Sequence, residues 1–183
     1  MLKIIYMYLR KLFGRHPDEM TYLQGQGLRI GNHFRNHSPY AFDALFPWLI
    51  SIGDNVCISA NVKLLAHDTS TEYVNGHTKI GIIDIGDNVY IGYGATILCN
   101  VRIGSNCVIG AGSVVTRDVP SGTVYEGNPA RYICSIEEYK EKHSKSLEQV
   151  PVYEGPCLKW HELPASEKAA MREALNNTYG YMK

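Results

Sequence analysis

Ile85, Ile91, Ile97, Ile103 and Ile109 stand six residues apart, and Val115 continues the series. A glycine follows most of them (Gly86, Gly92, Gly104, Gly110). Four places beyond each apolar residue comes a second small or β-branched one: Val89, Ala95, Val101, Cys107, Ser113 and Val119. The same frame occurs upstream at Ile52, Ile58 and Leu64. A period of six matches neither an α-helix nor simple strand alternation. It matches a short strand and a turn, repeated. The Ile and Val residues supply the strands, and Gly-Asp-Asn or Gly-Ser-Asn supplies corners tolerant of positive φ. Three such sides make a triangular coil of about 18 residues, and coils stacked about 4.8 Å apart through parallel hydrogen bonds put the repeating Ile inside. The expectation is an all-β chain built on a parallel β-helix.

The phase breaks between Leu64 and Ile85, which lie 21 residues apart, and that spacing reads as one coil plus three. The polar stretch 66–81 is therefore expected to protrude from the prism as a loop. Loops on rigid solenoids are where binding and chemistry usually sit. Further upstream Ile30-Gly31-Asn32 resembles a repeat unit, and Phe34, Tyr40 and Phe46 lead to Ile52 in steps of six. These aromatics suggest a capping region over an exposed strand edge. The expected organisation is an N-terminal helix or cap over 1–21, the β-helix over 22–133, and a helical tail over 134–183. Within the tail, 135–147 and 166–176 read as helices and 151–156 as a connector.

The chain of 183 residues carries 18 Lys+Arg and 18 Asp+Glu, a balance that argues against a nucleic-acid surface. The five cysteines (Cys57, Cys99, Cys107, Cys134, Cys157) are odd in number and lack C-x-x-C spacing. They read as reduced thiols and favour a cytoplasmic setting. Residues 1–14 are apolar with three basic side chains and are too short to span a bilayer. A docked helix is expected there, with a weak contact of residues 1–13 with the inner face of the membrane as the other reading.

The repeat, together with the segments Gly110-Ala-Gly-Ser-Val-Val-Thr-Arg-Asp-Val-Pro120 and Gly127-Asn-Pro-Ala-Arg131, resembles the hexapeptide-repeat acyltransferases. Within them the chain looks most like the maltose/galactoside type of sugar and polysaccharide O-acetyltransferase. The resemblance covers about residues 28 to 140. It implies a left-handed β-helix, a homotrimer, and acetyl-CoA lying in a groove between subunits. The implied activity is acetyl transfer to a hydroxyl of a sugar or glycan, in cell-surface polysaccharide biosynthesis.

Such a transfer needs a base for the hydroxyl proton, donors for the oxyanion and a long groove for CoA. Of the seven histidines, only His67 and His77 belong to the loop that breaks the repeat. The segment Leu65-Ala-His67-Asp68-Thr69-Ser70 resembles the family segment whose histidine, directly after a coil strand, serves as base. His67 is thus the expected base and His77 a substrate-side residue. Asp68 is expected to orient the imidazole or to contact the acceptor, and a backbone carbonyl could orient the ring equally well.

Asn100 stands at a turn where the family often has Pro-Gly or Pro-Asn; it is expected near substrate. Gly94, Ala95, Gly112 and Ser113 fall on successive coils, where small residues let the CoA arm approach the backbone. Family likeness places Thr116, Arg117 and Arg131 at the adenosine and phosphate end, where an arginine fork suits phosphate. No metal is expected. Competing readings are an antibiotic acetyltransferase on the same scaffold, a non-catalytic β-helix, a serine acetyltransferase and a β-helix carbonic anhydrase. Serine acetyltransferases usually carry a large N-terminal helical domain, and the anhydrase needs three converging histidines.

Overall fold

A computed structural model describes residues 19–154 and 162–183. Residues 1–13, the end of the 151–156 connector, His16, Cys157 and His161 lie outside the described residues. The chain divides into two compact units, Met1–Ile136 and Glu137–Lys183.

The first unit opens with a helix, α1 (Glu19–Gly25), and then winds into coils. The first coil holds β1 (Arg29–Ile30), β2 (Arg35–Asn36) and a bridge from Phe42 to Leu64. The second holds β3 (Ile50–Ile52), β4 (Cys57–Ile58) and β5 (Lys63–Leu64), followed by the loop with β6 (His67–Asp68) and β7 (Lys79–Ile80). The third runs through β8 (Ile83–Ile85), β9 (Tyr90–Ile91) and β10 (Thr96–Ile97). The fourth runs through β11 (Val101–Ile103), β12 (Val108–Ile109) and β13 (Val114–Val115). A hairpin of β14 (Thr123–Glu126) and β15 (Arg131–Ser135) closes that end.

Successive strands visit three faces in turn. Face one stacks β1, β3, β8 and β11; face two stacks β2, β4, β9, β12 and β14; face three stacks β5, β10 and β13. All of these stacked neighbours are parallel. The architecture is a three-sided parallel β-helix.

The sequence pattern explains the coil. Ile58, Ile91, Ile97 and Ile109 are completely buried, as is Leu64, so the six-residue series forms the axial core. Burying each such side chain contributes about 1.5–3 kcal/mol. The glycine after the isoleucine has a separate reason: a Cβ on Gly92 would lie 2.6 Å from the backbone nitrogen of Ala111 in the next coil. Only glycine allows the coils to stack that closely there. Asparagines turn the corners at positive φ, among them Asn55, Asn88 and Asn106 at 56–58°. Their side chains form a ladder, Asn55 Nδ2 donating to Asn88 Oδ1 (2.8 Å) and Asn88 Nδ2 to Asn106 Oδ1 (3.3 Å).

Register corrects the two sequence readings around the breaks. Ile85 pairs with Ile103, 18 positions on, whereas Ile52 pairs with Ile85, 33 positions on. The insertion is therefore 15 residues at one corner, between faces three and one, not one coil plus three. Ile30 pairs with Ile52, 22 positions on, so the first coil has its own excess of four at that corner. The first coil's series is Ile30, Asn36 and Phe42, opposite Ile52, Ile58 and Leu64. Counting back in sixes from Ile52 crosses the small excursion and lands on the second apolar series, which is why Phe34 and Tyr40 appear in frame.

In the second unit the charged segment forms α3 (Ile136–Leu147) from its junction residue onward; the four-residue helix of the loop, Glu72–Asn75, is α2. Helix α4 covers Ala165–Ala174, and β16 (Val152–Tyr153) pairs in parallel with β17 (Tyr181–Met182). His143 Nδ1 meets the Tyr181 hydroxyl at 2.7 Å, which ties α3 to the last strand. Among the described residues no helix is long and apolar enough to cross a membrane.

Candidate active site

Both excursions leave the prism at the corner between faces three and one, on consecutive coils. The smaller begins at Asp43, directly after Phe42; the larger begins after Leu64 and carries His67. Stacking the coils stacks the excursions, and this brings together two residues 24 apart in sequence. His67 Nδ1 hydrogen-bonds Asp43 Oδ2. A carboxylate only accepts, so the proton sits on Nδ1, and in the neutral ring Nε2 then carries the lone pair. No described residue bonds to Nε2.

Asp43 is held firmly. Its side chain is 2% exposed, and Oδ1 accepts a hydrogen bond from the Leu45 backbone at 2.9 Å. His67 is half-buried at the loop's neck, where β6 and β7 pair antiparallel and join His67 to Ile80. Gly81 N–H donating to the Ala66 carbonyl (2.9 Å) closes that neck. The Phe46 ring packs on the imidazole, centroids 5.4 Å apart. His67 is therefore positioned by the neck, the buried carboxylate and an aromatic wall.

Asp68 has a different task. It is exposed, and Oδ1 accepts from the Ser70 backbone at 2.9 Å, capping the turn Thr69–Thr71. Its carboxyl is held below the usual range, chiefly by its hydrogen bonds to Ser70, side chain first and then backbone, with smaller help from Lys79 and His67. The carboxylate that touches the imidazole is Asp43. His77 is exposed farther along the loop, with Nδ1 2.6 Å from the Asn75 carbonyl. Tyr73 and Val74, in the helix of the loop, are almost fully exposed.

The other expected residues gather along face three and its two edges. Asn100 turns the same corner as His67, one coil on, at φ 62°. It packs against the loop's return: a Cβ on Gly81 would stand 2.6 Å from Asn100 N. Thr116 and Arg117 are exposed at that corner of the fourth coil. Gly94 and Gly112 turn the opposite edge at φ 69° and 66°, and a Cβ on either would meet nothing within 4 Å. Ala95 and Ser113 beside them are fully buried, backbone included, and their carbonyls accept from Lys63 N (3.0 Å) and Thr96 N (2.8 Å) of neighbouring coils, so the expected contact of these two residues with a ligand is not what the winding offers. Ser113 Oγ accepts from Gly127 N at 3.2 Å. The hairpin tip lies across Val114 on this face, through Val114 N to the Gly127 carbonyl (3.0 Å) and Ala130 N to the Val114 carbonyl (2.9 Å). Arg131 follows, exposed.

Sequence reasoning missed Asp43 and Phe46. A signal was present: Phe42 to Ile52 is ten residues where the repeat allows six. Among the described residues no group of three or more His, Cys, Asp or Glu side chains is disposed to hold a metal ion.

The family described as bacterial transferase hexapeptide (six repeats) matches residues 83–117. Protein CapG of Staphylococcus aureus is 41% identical over 144 residues, which cover 72% of this chain and 79% of that protein. The chain belongs to the hexapeptide-repeat acetyltransferase family. Galactoside O-acetyltransferase of Escherichia coli, another relative, is 38% identical over 122 residues, 65% of this chain. The chain spans 59% of the length of that relative. A hexapeptide-repeat acetyltransferase of Vibrio cholerae, solved with acetyl coenzyme A, superposes with a TM-score of 0.56 at 34% identity, covering 61% of this chain and 62% of that one. The family match, residues 83–117, covers the third and fourth coils and with them the face-three strands β10 and β13.

Proposed function

We propose that the protein is an acetyl-CoA-dependent O-acetyltransferase that esterifies a hydroxyl of a sugar or glycan, with His67 as general base. The observation that carries the reading is the imidazole whose Nδ1 is taken by buried Asp43 while no described residue bonds Nε2. The free nitrogen takes the proton as the acceptor oxygen attacks the thioester carbonyl. Asp43 stabilises the imidazolium that forms, as the carboxylate of a triad does. The tetrahedral adduct collapses, the C–S bond breaks, and the imidazolium returns its proton to the thiolate. The products are the acetyl ester and free CoA, with no acyl-enzyme. Holding both reactants in one complex supplies much of the acceleration.

Acetyl-CoA lies along face three. The open corners at Gly94 and Gly112 support this, since their backbone can be approached closely. In this reading the backbone at Gly94 and Gly112 lines the pantetheine arm, and Thr116, Arg117 and Arg131 meet the adenosine and phosphates. Asn100 and His77 stand on the acceptor side, and Asp68 shapes the loop. The coil is left-handed and the assembly a homotrimer whose neighbouring subunit supplies the second wall of the groove. The protein works in the cytoplasm, in cell-surface polysaccharide biosynthesis. No metal takes part.

The test is thiol release from acetyl-CoA across a panel of galactosides, maltosides and glycan fragments, beside His67→Ala. Wild type should release CoA only with an acceptor, and the variant should lose about 10²–10⁴-fold in rate. A variant that transfers acetyl at the wild-type rate removes His67 from the base role. A monomer by light scattering removes the shared groove.

A further inference from the structure

The excursion that supplies Asp43 also carries an aromatic surface away from the base. Phe46 lies against His67, and Trp48 meets Phe46 edge-on, centroids 5.6 Å apart. Trp48 is 52% exposed, an unusual place for the largest apolar side chain. Its position is built in rather than incidental. Pro47 is buried and starts the short turn Pro47–Leu49 that presents it, and Gly27 backs it at φ 101°, where a Cβ would come within 2.9 Å of the Trp48 Cβ. Leu45 on the same excursion is also exposed, at 46%.

We infer that Trp48 is the acceptor platform, taking the apolar face of a pyranose ring so that one ring hydroxyl reaches His67 Nε2. This rests on the proposed acetyl transfer to a sugar. The chemistry fits: a sugar ring presents a patch of weakly positive C–H groups, and the indole face is the most electron-rich of the aromatic surfaces. An aromatic wall fixes the ring plane, and the base selects the hydroxyl. Phe46 bridges the two. It is turned toward the imidazole and only half-buried, so it limits how far the ring can slide. The preference is for a cyclic sugar over an open-chain polyol with the same hydroxyls.

The chain has two tryptophans, Trp48 and Trp160, so Trp160→Phe leaves Trp48 as the sole reporter. Titrating that variant with methyl β-galactoside or maltose should change its emission saturably, and galactitol should not. Trp48→Ala should raise KM for the glycoside about tenfold or more, with kcat within about twofold and KM for acetyl-CoA unchanged. Trp48→Phe should recover most of the loss and guards against misfolding of the alanine variant. An unchanged glycoside KM in Trp48→Ala, or an equal emission response to galactitol, overturns the platform while leaving the acetyl transfer intact. A wild type that neither binds nor acetylates any pyranoside overturns both.

Discussion

Asp43 and His67, 24 residues apart, share a hydrogen bond because two excursions of unequal length leave the same corner on adjacent coils. Neither residue belongs to the repeat. The repeat nevertheless sets their separation, since the coil spacing of about 4.8 Å fixes how far one excursion stands above the next. The regular part of the chain is the ruler and the irregular parts carry the chemistry.

Asp43→Asn tests that pairing. An amide can turn its NH₂ toward Nδ1, which moves the imidazole proton to Nε2 and removes the lone pair the acceptor needs. We expect kcat to fall by about 10²-fold or more with KM for acetyl-CoA unchanged. Circular dichroism should show an intact fold. Wild-type kcat in this variant would mean that the ring is oriented by something else.

Asp68 should behave differently although it adjoins the base. Asp68→Ala removes the cap on Thr69–Thr71 and should affect transfer far less than Asp43→Asn, while speeding proteolysis within 66–81. Its hydrogen bonds to Ser70 depress the carboxyl in the folded state. A depressed carboxylate stabilises above its unfolded pKa of about 3.9 and loses that contribution as pH falls through the lower folded value. The Ser70 amide resonance should therefore titrate with a midpoint below about 3.9; a midpoint at or above it contradicts the cap.

Much of this was legible in the residues themselves. The isoleucine series gave the coil, since no other period places Ile85 through Ile109 on one axis, and the polar interruption singled out His67. The partner of His67 was not legible, for a physical reason. A four-residue excursion in a six-residue repeat with apolar positions four apart re-enters phase with the second series. Phe34 and Tyr40 thus conceal the break that begins at Asp43. Ala95 and Ser113 illustrate a second limit. A small residue beside a corner glycine reads alike whether its side chain faces a ligand or the core, and only the winding shows that both face inward.

The coenzyme edge can be probed without disturbing the coil, because the chain contains its own control. Asn61 turns the same edge as Gly94, one coil earlier, at φ 61°. Asparagine tolerates that conformation better than other side chains. Gly94→Asn should leave the melting temperature nearly unchanged yet raise KM for acetyl-CoA about tenfold or more, since a side chain now stands where the arm would lie. An unchanged KM would move the coenzyme off this edge.

The asparagine ladder separates backbone strain from side-chain bonding. Asn88 sits at φ 56°, and its side chain accepts from Asn55 and donates to Asn106. Asn88→Ala loses both bonds and forces a β-carbon without compensation into the left-handed region, a conformation that costs about 1–2 kcal/mol. Asn88→Gly loses the same two bonds but relieves the backbone. Equilibrium denaturation should therefore rank wild type above Asn88→Gly, and Asn88→Gly above Asn88→Ala by about 1 kcal/mol. If the two variants were equally stable, the corner would be held by the ladder alone. If Asn88→Gly matched wild type, conformation alone would explain why asparagine recurs at Asn55, Asn88 and Asn106. An intermediate glycine variant means that the corner needs both, and this explains why neither serine nor glycine stands at any of these three positions.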